Sequence, residues 1–287
     1  MKKVTLAAAT LMASSLIVFG AQNQKAPEPA APAAEGSQSP VAKQPVPKSQ
    51  EEVQALQAIA QAPDADSRVA AVENLVTKFA DTEFKAWALM AAAATMKDSN
   101  KHDKAIIYAE RALEADPQSY MAMIILSTEL AENTREHDLD RDEKLARAEK
   151  YASKAIEIVK AAPRPQPAIT DEQWAAGKAD LIAQAHGALG VARMVKKDCD
   201  GGLPELAAAV SVPDPDPRTQ LRLGMAETEC GKPDEAIAIY DKLIASDLPP
   251  VFKQFAEREK QKAIQKKGGA AAPAPAASAA PAAQPQQ

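Results

Sequence analysis

The 287-residue chain is poor in aromatic residues, in glycine and in histidine, and each shortage excludes a class of protein. Aromatic residues make up only 4% of the chain, and almost no segment alternates Val, Ile or Thr with polar residues as a half-buried strand does. The sequence therefore predicts an all-α fold. Basic residues are not in excess either, because 34 Lys and Arg stand against 39 Asp and Glu. Since nucleic-acid phosphates require a basic surface, we expect no nucleic-acid partner.

The chain also lacks the motifs of the common catalytic and metal sites. There is no Gly-rich phosphate loop, Ser-centred elbow or pair of acids in a cleft-like context, so we predict neither enzyme activity nor a cofactor. No two of the three histidines, His102, His137 and His186, are separated by one helical turn. The segment "DLDRDEKLARAE" spaces its acids like a calcium loop, but Glu143 stands where a glycine makes the sharp turn. A charged loop leading into a helix is the prediction there, and no metal site is expected.

The chain contains a single long apolar run, and that run lies at its start. In "MKKVTLAAATLMASSLIVFGAQ" two lysines precede the run and small residues follow it, which is typical of a secretory signal peptide. The prediction is a signal peptide over residues 1–21, cleaved after Gly20 or Ala21, and export to the periplasm or the cell exterior. The alternative is an uncleaved membrane anchor, because the run approaches the length that spans a bilayer.

Two segments are too rich in Ala and Pro to bury a core. Residues 22–48 follow the predicted signal peptide, and residues 267–287 close the chain. Neither segment can offset its conformational entropy by apolar burial, so both are predicted to be extended and disordered. A Pro-rich peptide ligand is the alternative for each.

Between these segments, patterns of paired helices recur. Ser49 and Glu52 stand at capping-box spacing ahead of an apolar stripe, which predicts the first helix. The dipeptide Leu-Gly at Leu189 recurs at Leu223, an interval of 34 residues. A further copy lies upstream in "AWALMAAAATMKDSNKHDKAIIYAERALEADP". This interval is that of a helix-turn-helix repeat.

These residues resemble the tetratricopeptide-repeat family, and the chain as a whole resembles an exported bacterial member of it. The family pattern is matched in residues 220–248 by Leu223, Gly224, Gly231, Ala236 and Tyr240. The resemblance covers about residues 51–266 and is strongest in the copies at 86–117 and 217–248. It implies a right-handed α-solenoid of stacked antiparallel helix pairs, whose concave face binds a peptide or protein segment.

Within the last copy, four of the matched residues and Pro233 have a predicted structural role. Gly224 and Ala236 are small where the two helices of the repeat approach each other. Gly231 is predicted to adopt the left-handed conformation that ends the first helix, and Pro233 fits the first turn of the second helix. Tyr240 is predicted to pack toward the following helix.

The helical domain is predicted over residues 49–266. One copy has a charged insertion from Glu132 to Glu143, and another has a first helix of about 25 residues, or about 38 Å, that begins at a capping box of Thr170 and Gln173. The predicted helix pairs are 49–82, 83–117, 118–162, 170–213 and 216–248, followed by a terminal helix at 250–266.

The resemblance also places candidate partner-binding residues on the concave face. Four methionines in first helices fall there, and flexible thioethers suit a groove that accepts varied apolar side chains, although core packing alone also explains such residues. One basic pair joins them, and the rarity of Lys and Asn disfavours the family's clamp for a chaperone carboxylate. The candidates are Met90, Met121, Ile124, Met194, Arg218, Leu221, Arg222 and Met225.

Cys199 and Cys230 are the only two cysteines. Both fall in or beside the turns of neighbouring copies, and the turns of adjacent repeats lie along the same edge of a solenoid. In an exported protein this favours a disulfide, with two free thiols as the alternative.

The function that the sequence predicts is an exported scaffold or adaptor for a protein or peptide partner. The runner-up is a structural component of the cell envelope, tethered to the membrane through its N-terminal segment, without a dedicated binding groove. In that case the Ala/Pro-rich segments would act as spacers.

Overall fold

The computed structural model describes residues 41–270, and the predicted all-α fold is confirmed over this range. Its only β-type pairing is an isolated bridge between Val41 and Arg164. The predicted signal peptide, residues 22–40 of the linker and residues 271–287 of the tail lie outside the described residues. The helices are α1 (Gln50–Gln61), α2 (Ala65–Lys78), α3 (Lys85–Asp98), α4 (His102–Ala115), α5 (Tyr120–Asn133), α6 (Arg141–Ala161), α7 (Asp171–Val195), α8 (Cys199–Ala209), α9 (Pro217–Glu229), α10 (Pro233–Ala245) and α11 (Pro250–Ala270).

The helices form two compact units. Of the described residues, unit 1 comprises 41–122 and 161–177, and unit 2 comprises 123–160 and 178–270. In unit 1, α1 packs on α2, α2 on α3 and α3 on α4, whereas in unit 2, α9 packs on α8, α10 and α11. Consecutive helices thus pack as pairs within each unit, as in an α-solenoid.

The core of unit 1 combines large aliphatic side chains with alanines. Leu75 and Leu89 are buried beside Ala88, Ala92 and Ala112, none of which is more than 1% exposed. Because alanine has a single methyl group, helices that meet through alanines approach each other closely. The high alanine content of α3 and α4 is therefore part of how this unit reaches the close packing of a protein interior.

Residues 41–48, which we call the strap, differ from the prediction of a disordered linker. The Ala42 amide donates to the Arg164 carbonyl at 2.8 Å, and the Val46 amide donates to the Glu83 carboxylate at 3.2 Å. The Lys48 ammonium pairs with Asp81 at 2.8 Å. The Ala/Pro-rich composition of this segment predicted that it could not bury enough apolar surface to be ordered. The strap is instead held by polar contacts to the rest of unit 1.

The strap ends at a buried carboxylate. Glu52 is 1% exposed and accepts hydrogen bonds from the Lys48 amide at 2.6 Å and from the Thr82 hydroxyl at 2.5 Å. The predicted capping box is thus formed on one side only. Ser49 Oγ accepts from the Glu52 amide at 3.1 Å, but the Glu52 carboxylate binds the Lys48 amide rather than that of Ser49.

Several helix ends follow the predicted capping chemistry. The capping box that precedes α7 is reciprocal, since the Thr170 amide donates to Gln173 at 3.0 Å and the Gln173 amide donates to Thr170 at 3.1 Å. The helix that follows has the predicted 25 residues. Asp216 caps α9, and Pro233 stands in the first turn of α10. These features confirm the predictions made from local sequence.

Two glycines allow close approach of helices in unit 2. A Cβ atom on Gly224 would lie 2.7 Å from Tyr240 Cε1, and one on Gly190 would lie 2.7 Å from Leu206 Cγ. Real Cβ atoms essentially never lie so close to a neighbour, so only glycine fits with the neighbour in place. The predicted role of Gly224 is confirmed, and Tyr240, which is fully buried, also packs toward α11.

Three turns in the described range share one left-handed conformation. It occurs at Asn100 with φ 56°, at Lys197 with φ 64° and at Gly231 with φ 76°. In each turn the amide of this residue donates to the carbonyl three residues earlier, and the next amide donates to the carbonyl five residues before it. This is the Schellman arrangement that ends a helix. The prediction for Gly231 is confirmed. The left-handed conformations of Asn100 and Lys197 were not predicted from the sequence.

Candidate functional site

A cleft in unit 2 brings together residues from four parts of the chain. Its walls are the segment between α5 and α6, the end of α7, and α9, and α8 contributes to its floor. The cleft has a volume of about 310 Å³, which is within the range of small ligand sites. We call it the unit 2 cleft. It is lined by Thr134, Glu136, Val191, Met194, Val195, Lys197, Leu206, Arg222, Met225, Ala226 and Glu229.

The floor of the unit 2 cleft is continuous with the apolar core. Leu206 and Ala226 are 1% and 4% exposed and belong to a buried cluster, against which Val191 and Met194 pack as partly buried neighbours. Met225 stands at the edge and is 37% exposed. An apolar side chain that entered the cleft would therefore contact side chains that the protein already holds in place.

Charged groups of both signs surround this floor. Arg222 forms an ion pair with Glu132 at 2.7 Å, while Glu136 and Glu229 contribute acidic side chains. The Lys266 ammonium binds the carbonyl oxygens of Thr228 and Glu229 at 2.7 and 2.9 Å, which stabilises the end of α9. The rim of the cleft is thus polar, and these contacts hold its α9 side in place.

The segment between α5 and α6 is ordered by hydrogen bonds. Arg141 Nη2 donates to the Val195 carbonyl at 2.7 Å, and the Thr134 hydroxyl donates to the Leu130 carbonyl at 2.6 Å. The Asp138 carboxylate accepts from the Arg135 amide at 3.1 Å, and this hydrogen bond lowers the pKa of Asp138. The predicted charged insertion is therefore a structured wall of the cleft.

A disulfide joins Cys199, the first residue of α8, to Cys230 at the end of α9. Their Cα atoms are 5.8 Å apart. The Cys230 sulfur also lies 4.0 Å from the Met194 sulfur, and Met194 lines the cleft. The bond thus connects two elements that form the cleft.

The structure brings three of the predicted binding residues together. Met194, Arg222 and Met225 line the unit 2 cleft. Met90 and Met121 belong to unit 1, where Met90 packs against the core that contains Leu89. These two residues are therefore not part of the cleft.

The other three predicted binding residues do not line the cleft. Ile124 is 3% exposed and Leu221 is 9% exposed, and Leu221 packs in the core with Tyr240. Both positions are corrected to core residues, because their neighbours in the fold already bury them. Arg218 lies in the first turn of α9 and does not line the cleft either.

His186 takes part in a charged cluster. Its Nδ1 lies 2.6 Å from a Glu205 carboxylate oxygen, and Arg193 binds the other oxygen at 2.8 Å. Nearby, Lys196 pairs with Glu149 at 2.7 Å. In residues 41–270 no three His, Cys, Asp or Glu side chains are grouped as metal ligands.

Sequence reasoning missed Lys197, Val191, Leu206 and Glu229 as cleft residues. For Lys197 a signal was present, because it stands 34 residues before Gly231, where the repeat requires a left-handed turn. The aliphatic residues gave no such signal, since a side chain that lines a cleft and one that fills a core look alike in sequence.

The comparisons with known proteins agree with the repeat pattern. The family model described as tetratricopeptide repeat matches residues 86–119 and 217–248. Each of these two segments is similar to a tetratricopeptide repeat. Both matched segments coincide with the two copies in which the sequence pattern is strongest. No curated protein matches the chain.

Several solved structures are similar to this chain at low sequence identity. The thermophilic protein TTC0263 of Thermus thermophilus is 17% identical with a TM-score of 0.50, over 75% of this chain and 96% of that chain. MamA 41-end from Desulfovibrio magneticus RS-1 is 11% identical, over 78% and 99% of the two chains, with a TM-score of 0.42. YrrB, described as having an unusual peptide-binding site, is 16% identical, over 69% and 91%, with a TM-score of 0.41.

The tetratricopeptide repeats point to a protein–protein interaction scaffold. Within residues 41–270, no helix combines the length and the hydropathy that crossing a membrane requires.

Proposed function

We propose that this protein is an exported scaffold or adaptor that holds a segment of a partner protein in the unit 2 cleft. The observation that carries the proposal is the cleft itself, in which partly buried thioethers lie above an apolar floor and beneath a charged rim. Apolar burial would supply the affinity, and the rim would orient the segment. Interfaces are generally built in this way, with an apolar centre and a polar edge.

The methionines suit this role for a physical reason. Met225 and Met194 have flexible side chains with polarisable sulfur atoms, so they adapt to differently shaped apolar partners. Burying one Leu- or Phe-sized side chain of the partner is worth about 1.5–3 kcal/mol. A cleft of this size would hold one such side chain as an anchor, with the flanking residues of the segment along the rim.

Export is supported by two features of the chain. The N-terminal sequence has the order of a signal peptide, with lysines before an apolar run. The Cys199–Cys230 disulfide is a bond that persists in oxidising compartments and is rare where thiols are kept reduced. Both features favour the periplasm or the cell exterior as the site of function.

The proposal is tested by photo-crosslinking in living cells. A photoreactive amino acid replaces Met225 in one variant and Val251 in a control, because Val251 is exposed on α11 and does not line the cleft. We expect a dominant crosslinked partner from position 225 only, and its loss when Arg222→Glu is added.

Equal labelling of general envelope components from both positions would contradict the cleft proposal and favour the structural role in the cell envelope. To test export, cells are fractionated and the N-terminus of the mature protein is sequenced. A cytoplasmic protein with an intact N-terminus would contradict export.

A further inference from the structure

Lys197 occupies a backbone conformation that lysine adopts at a cost. In the two equivalent turns the left-handed residue is Asn100 or Gly231, the two residue types that tolerate this conformation best. For other L-residues a positive φ brings the Cβ close to the backbone and is unfavourable. Residues held in such conformations cluster at functional sites, so an outlier of this kind justifies a search for a role.

Backbone hydrogen bonds close this turn, but no side-chain contact of Lys197 within residues 41–270 explains why lysine occupies it. The Lys197 ammonium has no hydrogen-bond or ion-pair partner among residues 41–270, and the side chain is exposed. The preceding residue, Lys196, contrasts with it, because its ammonium pairs with Glu149 at 2.7 Å. The charge of Lys197 is thus available to a ligand.

Lys197 lines the unit 2 cleft, where the other cation is already engaged. Arg222 pairs with Glu132 at 2.7 Å, whereas Glu136 and Glu229 add negative charge to the same lining. A uniformly acidic segment would be repelled by these two carboxylates. A segment with one carboxylate near Lys197 would gain an ion pair without that repulsion.

We infer that Lys197 determines the specificity of the cleft by binding a carboxylate of the partner segment. The ligand class is an extended peptide with an apolar side chain against Met194 and Met225 and a single Asp, Glu or chain-terminal carboxylate beside it. This inference rests on the proposed function of the cleft. It adds the chemistry of the ligand and the residue that selects it.

Synthetic peptides test the inference on the oxidised, full-length protein. Each probe is an N-acetylated, C-amidated octapeptide with a central leucine and with Asp, Asn or Lys scanned through the flanking positions. Binding is measured by fluorescence anisotropy. We expect Asp at one position to bind about two- to fivefold more tightly than Asn, the range of a partly exposed ion pair. A matched series with a free C-terminal carboxylate distinguishes a chain terminus from an acidic side chain.

Two variants assign the preference to Lys197. In Lys197→Gly the ratio of Asp to Asn affinity should fall to one, and in Lys197→Arg the ratio should persist. Lys150→Ala, an exposed lysine on α6 outside the cleft, should leave the ratio unchanged. Because glycine relieves the left-handed turn, the Tm of Lys197→Gly should also rise, by about 2–4 °C. Asn100→Gly should not affect peptide binding.

The outcomes separate this inference from the proposed function. If peptides bind and Met225→Glu abolishes binding, but no Lys197-dependent carboxylate preference is found, only the role of Lys197 is overturned. A fall in the Tm of Lys197→Gly would also overturn it, because the conformational cost would not exist. If no peptide binds even at millimolar concentration, both the inference and the proposed cleft function fail.

Discussion

Gly224 on α9 and Tyr240 on α10 are in contact so close that a methyl group does not fit between them. A Cβ on Gly224 would lie 2.7 Å from Tyr240 Cε1 and 2.9 Å from Cζ, while Tyr240 is fully buried and has no room to withdraw. We therefore expect Gly224→Ala to destabilise the protein by about 1–3 kcal/mol, the usual cost of overpacking a core. Urea denaturation followed by circular dichroism measures the change.

Gly187 on α7 provides the matched control. A Cβ there would meet its nearest neighbours, Ala209 and Thr219, at 3.8 and 3.9 Å, which is ordinary van der Waals contact. Since alanine favours a helix over glycine, Gly187→Ala should stabilise by about 0.5–1 kcal/mol. Equal effects of the two substitutions on stability would show that Tyr240 does not lie this close to Gly224.

The disulfide should contribute strongly to stability. Cys199 and Cys230 are 31 residues apart in sequence, and in the chain-entropy model closing a loop of this length stabilises by about 3–4 kcal/mol. The double variant Cys199→Ser/Cys230→Ser should lose about this amount in urea denaturation. A reductant should destabilise the parent protein and leave the double variant unchanged. Two freely alkylated thiols in protein isolated from its native compartment, detected by intact mass, would contradict the bond.

The buried carboxylate of Glu52 predicts a sensitive position at Thr82. The Thr82 hydroxyl donates to Glu52 at 2.5 Å and accepts from the Phe84 amide at 3.1 Å. Thr82→Val removes both hydrogen bonds from a buried site, so we expect a loss of about 1–3 kcal/mol in the free energy of unfolding. Lys48→Ala is the control, because its ion pair with Asp81 is exposed and its amide still binds Glu52. Lys48→Ala should change stability little. If it lowered the free energy of unfolding as much as Thr82→Val does, the importance of the Thr82 hydrogen bonds would be contradicted.

Glu227 predicts a pH dependence of stability. Burial raises the pKa of Glu227 above its ordinary value of 4.5, although Lys232 acts in the opposite direction. The folded protein therefore binds this proton more tightly than the unfolded chain. The stabilising contribution is present below pH 4.5 and is lost as the pH rises through the pKa of the folded state.

Glu227→Gln should accordingly raise the Tm relative to the parent protein at pH 7, and the difference should shrink toward pH 4. Thermal denaturation from pH 4 to pH 8 measures this trend. Glu257→Gln, at an exposed position of α11, is the control and should give no such trend. A difference at Glu227 that is constant with pH, or larger in acid, would contradict the prediction.

Local sequence predicted the helices and their ends well because capping and turn chemistry are local. The pair of Thr170 and Gln173 marked the start of α7, Asp216 marked that of α9, and Gly231 marked the turn before α10. Each signal lies within a few residues of the structure that it specifies. The 34-residue interval then extended these local signals to the repeated fold.

The strap and the cleft could not be predicted in the same way. The strap is held by partners such as Arg164 and Asp81, which are far from it in sequence, and its composition is that of a disordered linker. Met194 on α7 and Met225 on α9 line one cleft although they are far apart in sequence, while Ile124 on α5 is buried. Hydrophobicity predicts that such residues avoid water, but not which of them stay accessible.

The contacts of the strap would also matter if the protein were under tension. If the N-terminal segment anchors the protein, the strap lies along the chain between that anchor and α1, with Ala42 bound to Arg164. The contacts of Ala42 to Arg164, Val46 to Glu83 and Lys48 to Asp81 would then have to part before the pull reached Ser49. Under such tension the strap would yield before the first helix did.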